Sequence, residues 1–245
     1  MNGIDCSIHG SSKWGSKTYY LNELKNRYNF PSPNEMDSTV TIDKLIKSAD
    51  PNQYSTGKGI RIKGYVFKVK SGGIETCNCR SKDQFYRDTH IELTADGEHT
   101  GPQFRIIVEV TPRIRQIMSK NGIDWSTGSI KKTLTGKNII VTGWLLYDFE
   151  HEDGSYANDP DDNAGRPNWR ASCWEVHPVT SITIEGNVEN NPMPPPEKKI
   201  NNKISNAPVH VNYVNEQGNS RALFIFIGVL ILTIIIIVIL LMRKR

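Results

Sequence analysis

The chain has 245 residues, enough for one domain of ordinary size with extensions or for two small ones. Its charge is nearly balanced, with 30 Lys and Arg residues against 26 Asp and Glu residues, which excludes a nucleic-acid-binding polycation. The 4 cysteines are too few and too scattered for a disulfide scaffold, so we expect reduced thiols.

Residues 1–37 are polar and aromatic and predict no regular element, and a short helix follows them. Thr41 can cap a short helix in which Ile42, Leu45 and Ile46 share one face. We therefore treat residues 1–57 as an N-terminal extension with a short helix, which either packs on the next domain or stays loose.

Residues 58–185 predict one β-rich domain, because apolar residues alternate with polar ones in five segments. The predicted strands are 59–70, 90–94, 104–110, 137–149 and 173–184. The apolar phase of the first strand changes at Gly64, which predicts a bulge or sharp bend there. A helix is predicted at about 112–121, because Thr111 can cap it, Pro112 suits its first position and Gly122 can end it.

The C-terminal part predicts a membrane anchor. Residues 186–221 are rich in Asn and Pro and predict a flexible tether. Residues 222–242 are uncharged, and a helix of that length spans about 30 Å, so we predict a single transmembrane helix followed by the basic tail 243–245. This is the layout of a tail-anchored, single-pass protein.

The side of the membrane is open to two interpretations. Because residues 1–20 contain no apolar export signal, we expect the soluble part to lie in the cytosol. The positive-inside tendency points the other way, since it would keep the basic tail 243–245 cytosolic.

The order of three strands, a helix and two strands, with a long bent first strand, resembles the OB-fold, a five-stranded barrel. The segments "VEVTP", "VTGWLLYD" and "WEVHPV" are also similar to uncharacterised bacterial domains with a WEVHP strand, a resemblance that implies no mechanism. The expected fold class is therefore mainly β, an OB-like barrel with one helix between strands three and four. A different small barrel or a sandwich is the alternative.

The strand alternation also gives a candidate metal or ligand site. Trp174 and Val176 fall on the core face, and the polar residues between and beside them fall on the opposite face, as Glu109 does in its own strand. Polar residues of the second and fifth strands that could bind a divalent metal such as zinc are Asp88, His90, Glu92, Glu175 and His177. We nevertheless expect these faces to be solvated and no cofactor to be bound, because no standard metal-binding spacing is present. Cys77 and Cys79 with His90 match no zinc pattern closely either.

A candidate binding face for a protein or small ligand comprises Arg61, Lys63, Trp144 and Tyr147. The acidic loop 148–170 disfavours nucleic acid as a partner, because it would repel a phosphate backbone. Its carboxylates could gather calcium, but their spacing departs from the EF-hand pattern, so we expect a solvated loop.

These features lead to two functional hypotheses. The first is a membrane-anchored binding or interaction module that displays an OB-like domain on a flexible tether. This hypothesis treats the chain as a non-enzyme, since no complete catalytic constellation is present. The alternative is a metal-dependent hydrolase that uses the His, Asp and Glu residues of the strand faces.

Overall fold

A computed structural model describes residues 6–186. Five strands form a closed barrel whose neighbours follow the order β1-β2-β3-β5-β4. The strands are β1 Gly59–Ser71, β2 Thr89–Thr94, β3 Ile106–Val110, β4 Asn138–Tyr147 and β5 Trp174–Ile184. Strands β3 and β5 pair in parallel and the other neighbours are antiparallel. The domain is thus mainly β and consistent with an OB-like barrel, and the five predicted strands are confirmed.

The helices lie before β1 and between β3 and β4. They are α1 Lys17–Lys25, α2 Ile42–Ile46, α3 Pro112–Lys120 and α4 Thr127–Leu134. Short 3-10 turns occupy Pro33–Glu35, Gln84–Tyr86, Pro102–Phe104 and Phe149–Gly154. The predictions of α2 and α3 are confirmed, with the Thr111 hydroxyl accepting a hydrogen bond from the Ile114 amide at the start of α3. Helix α1 was not predicted, and α4 is a second helix between β3 and β4, where only one was expected.

The long first strand bends at a different place from the predicted one. Its register shifts between Val66 and Lys68, so the bulge lies beyond Gly64 and that prediction was wrong. Gly64 itself meets a close approach of the neighbouring strand, because a Cβ there would lie 2.8 Å from the Thr94 carbonyl oxygen. Through this bend β1 pairs first with β4 and then with β2, which closes the barrel.

The N-terminal residues pack against the barrel rather than remaining loose. A disulfide joins Cys6 to Cys79 in the loop between β1 and β2, so the expectation of reduced thiols was wrong for these two cysteines. Cys77 and Cys173 are free thiols, and both are buried. The residues from 6 to 26 and the loops 72–88 and 148–170 bring buried polar contacts to the outer face of β2, β3 and β5.

The predicted transmembrane helix 222–242, the basic tail 243–245 and the tether beyond residue 186 lie outside the described residues. Within residues 6–186, no helix combines the length and the apolar character that crossing a membrane requires.

Candidate metal centre

Three neighbouring strands bring polar side chains together on the outer face of the barrel. The pairing of β2 with β3 sets His90 opposite Glu109, and the parallel pairing of β3 with β5 sets Ile107 opposite Glu175. Glu109 therefore lies between two histidines, with Oε1 3.4 Å from His90 Nε2 and Oε2 3.8 Å from His177 Nδ1. Strands two and five do not adjoin, but β3 bridges them.

This face is covered, so the expectation of a solvated face was wrong. Asp88, Glu109 and His177 are exposed by only 2 %, 5 % and 0 %. The strand alternation had assigned the face correctly. The alternation could not predict that this face is covered, because the cover consists of loops and of residues far away in the chain.

Asp88, Glu109 and His177 form a cluster with the composition of a metal site. Each offers one ligand atom, and these atoms lie within 4.8 Å of one another. Asp88 Oδ1, Glu109 Oε2 and His177 Nε2 are buried and have no hydrogen-bond partner. Because buried polar atoms are nearly always paired, three such atoms on neighbouring side chains make this cluster a candidate ligand site. A histidine with two carboxylates fits zinc or a similar divalent ion.

His177 is held in the manner expected of a metal ligand. Its Nδ1 lies 3.0 Å from Glu175 Oε1, and since a carboxylate accepts hydrogen bonds, Nδ1 is the donor in this contact and Nε2 is the nitrogen that could bind a metal ion. Arg170 Nη2 donates to Glu175 Oε2 at 3.0 Å and so fixes the carboxylate in turn. Carboxylates in this position orient the histidine and raise its basicity.

The remaining predicted residues play different parts. His90 flanks the cluster beside Glu109, and its ring meets Trp169 edge-on at 5.5 Å. Glu92 does not join it, because it pairs with Lys70 at 3.1 Å and Arg105 at 3.2 Å. Sequence reasoning placed Glu109 on the polar face but did not include it among the ligands, although a lone acid in the apolar run "IIVEV" was the available signal.

The electrostatics of the cluster favour a bound cation. Within residues 6–186, no Lys or Arg side chain forms an ion pair with Asp88 or Glu109. Burial raises the pKa of both carboxyls, and for Glu109 the neighbouring carboxylates Glu75 and Glu175 raise the pKa further. Burial and the charge of Lys70 hold the pKa of His90 well below its usual value, so His90 is neutral. A divalent cation would supply the positive charge that the protein does not.

The buried lysine at the end of helix α1, Lys25, forms two ion pairs beside the site. Lys25 Nζ lies 2.7 Å from Asp148 Oδ2 and 3.0 Å from Glu75 Oε2, and the lysine is only 2 % exposed. Burial lowers the pKa of Lys25, but the two carboxylates outweigh it and raise the pKa well above the usual value. Lys25 and Asp148 are therefore both ionised.

The candidate binding face is not a single exposed surface. Arg61 and Lys63 are exposed on β1, and Lys63 pairs with Glu185 at 2.6 Å. Trp144 and Tyr147 are both buried, so neither can stack on a ligand at the surface. The Trp144 indole donates to the Asn29 carbonyl at 2.8 Å, and the Tyr147 ring packs on Trp174 at 5.2 Å.

The acidic loop uses several of its carboxylates to hold its own backbone. Asp159 accepts hydrogen bonds from the amides of Asn163 and Ala164 at 3.0 and 2.8 Å, and Asp162 accepts one from the Asn168 amide at 3.0 Å. These contacts account for part of the loop's acidic composition without calcium.

No protein-family model matches the sequence, and a search of the curated proteins finds no significant match to it. The buried cluster is therefore the main indication of what the domain binds.

Proposed function

We propose that the chain is a membrane-tethered binding module whose OB-type barrel holds a divalent cation, with zinc as the best fit, at Asp88, Glu109 and His177. The observation that carries the proposal is a buried cluster of three side chains with converging ligand atoms, each of which also has a polar atom without a hydrogen-bond partner. When bound, the cation would supply the positive charge that would balance the two carboxylates.

The protein's own groups would orient the ligands and exclude water. Glu175 and Arg170 hold the ring of His177, and Asn78 Nδ2 donates to Asp88 Oδ2 at 2.7 Å. Ligands as enclosed as these favour a structural cation over a hydrolytic one, because catalytic zinc sites keep a position open to substrate. The binding module therefore ranks above the hydrolase.

The membrane anchor at residues 222–242 stays part of the proposal, with a protein or small ligand as the partner of the barrel surface. The Cys6–Cys79 disulfide favours an oxidising compartment, since cytosolic thiols are kept reduced. The basic tail 243–245 favours the same orientation by the positive-inside tendency. We therefore propose that the barrel lies on the non-cytosolic side, opposite to the first expectation.

Metal analysis of the full chain, purified in detergent, tests the cation site. We expect at least one equivalent of zinc to be retained after dialysis, and we expect Glu109→Gln and His177→Ala each to bind one equivalent less. Glu175→Gln should weaken zinc binding about 10–100-fold, because Glu175 acts through His177. Glu185→Gln, the same change at an exposed carboxylate, is the matched control and should bind zinc normally. A folded chain that retains no zinc, manganese or iron and takes none up on titration would refute the proposal.

A further inference from the structure

A second group of metal-ligand residues lies beside the first. Glu75, Cys77 and Asp88 each offer one donor atom, and these three atoms also lie within 4.8 Å of one another. Asp88 belongs to both groups, which makes it the residue they share. Its Oδ2 lies 3.8 Å from Cys77 Sγ, whereas Oδ1 is buried without a partner.

The distances in this group match those between ligands of a tetrahedral ion. Bonds of about 2.3 Å to sulfur and about 2.1 Å to oxygen at the tetrahedral angle separate the two donors by about 3.6 Å. Cys77 Sγ lies 3.5 Å from Glu75 Oε2 and 3.8 Å from Asp88 Oδ2. A thiol has a single proton and cannot donate fully to two carboxylates, so weak hydrogen bonding does not satisfy this arrangement.

The loop that carries Cys77 is fixed in place before any ligand binds. Asn26 Nδ2 donates to the Cys77 carbonyl at 2.9 Å, and the Ser11 amide donates to the Thr76 carbonyl at 2.9 Å. The disulfide to Cys6 fastens the loop two residues further on. Metal ligands held by such outer contacts need little rearrangement on binding.

We propose that Glu75, Cys77 and Asp88 form a second subsite for a thiophilic divalent ion of the zinc class, with Asp88 bridging it to the ion at Glu109 and His177. A thiolate ligand selects zinc, cobalt or cadmium over magnesium and calcium. Lys25 already neutralises part of the charge of Glu75, so the second subsite binds its ion more weakly than the first. This inference rests on the proposed cation site, because the two share Asp88.

Cobalt titration of the full, metal-free chain, without reductant so that the Cys6–Cys79 disulfide stays closed, tests the subsite. Thiolate ligation gives cobalt a sulfur-to-metal charge-transfer absorption in the near ultraviolet. We expect two equivalents to bind, with this absorption growing during the second. Cys77→Ser should abolish the absorption and reduce binding to one equivalent. Cys173→Ser changes the other buried free thiol and should leave the absorption and the stoichiometry unchanged.

The possible results separate this inference from the proposed function. One bound cobalt without thiolate absorption overturns the second subsite and leaves the first intact. No binding at all overturns both. His177→Ala should bind one equivalent of cobalt less but keep the thiolate absorption, whereas Asp88→Asn should weaken the binding of both ions. Circular dichroism of each variant establishes that it is folded, and Zn²⁺ competition confirms that cobalt occupies the same subsites.

Discussion

Replacing Lys25 with methionine tests whether the buried ion pairs hold α1 on the barrel. Met has a similar length but no charge, so Lys25→Met leaves Asp148 and Glu75 without their closest counter-ion. Removing one partner of a buried ion pair costs about 3–5 kcal/mol. A domain of this size changes its Tm by about 2–4 °C per kcal/mol, so the Tm should fall by about 6–20 °C.

The assay is thermal unfolding of the full chain at neutral pH, followed by circular dichroism. Lys17→Met, an exposed position on the same helix, is the matched control and should stay within about 0.5 kcal/mol of the wild type. Adding Asp148→Asn to Lys25→Met should recover part of the loss, because the uncompensated carboxylate is then gone. The double mutant should deviate from additivity by about 1–3 kcal/mol.

The pH dependence gives an independent check. Burial raises the pKa of Asp148, but Lys25 outweighs it and holds the pKa well below its usual value. A lowered folded-state pKa contributes stability that is present above the unfolded value, about 3.9, and is lost as the pH falls through the folded value. The deficit of Lys25→Met should therefore persist down to about pH 4 and shrink as the pH falls further below that value. A variant within about 1 kcal/mol of the wild type, with an unchanged pH profile, would show that this reasoning is wrong.

Three further predictions concern the cluster, the cover and the anchor. Glu109→Gln should stabilise the metal-free chain at pH 7–8 by about 1 kcal/mol. Because the folded-state pKa of Glu109 is raised, the stability that its protonated form contributes is lost as the pH rises through that pKa. The free energy of unfolding of the wild type, measured by denaturant titration, should therefore decline above about pH 5, and Glu109→Gln should remove part of this decline. Gly10→Ala should destabilise the domain more than Gly15→Ala, which costs about 1–2 kcal/mol in the left-handed region. Only at Gly10 would the new Cβ meet a carbonyl oxygen, that of Thr76 at 1.9 Å. Thermal unfolding of the two variants compares these costs. Deleting residues 222–245 should yield a soluble domain, and protease added to intact cells should cleave the tether of the full chain; complete protection would instead indicate a cytosolic domain.

The barrel could be predicted from the sequence because its signals are local. Alternation with period two and the Thr111–Pro112 helix start each depend on a few neighbouring residues. Helix α1 was missed because its buried face is not an apolar stripe. It includes Asn22 and Lys25, which are buried only because Thr76 and the carboxylates around them supply partners from other parts of the chain.

The site could be predicted only in part, for the same reason. Strand parity gave the face on which Asp88 and His177 lie, but whether a strand face is wet depends on what covers it. The cover includes a disulfide between residues separated by 73 positions in the sequence, for which no local pattern exists. The parallel pairing of β3 with β5 also has no local signal in the sequence, and this pairing brings Glu109 close to His177.

The distribution of charge within the cover is the strongest reason to look for a ligand here. Lys25 pairs with both Asp148 and Glu75, and Arg170 pairs with Glu175, so the fold supplies a buried cation beside these carboxylates. Among the residues that the structure describes, Asp88 and Glu109 have no Lys or Arg partner, although a well-packed apolar pair at these positions would be as stable or more so. A purely structural role explains the paired carboxylates and does not explain the unpaired ones. The divalent cation that we propose between Asp88, Glu109 and His177 would account for both their charge and their orphaned atoms.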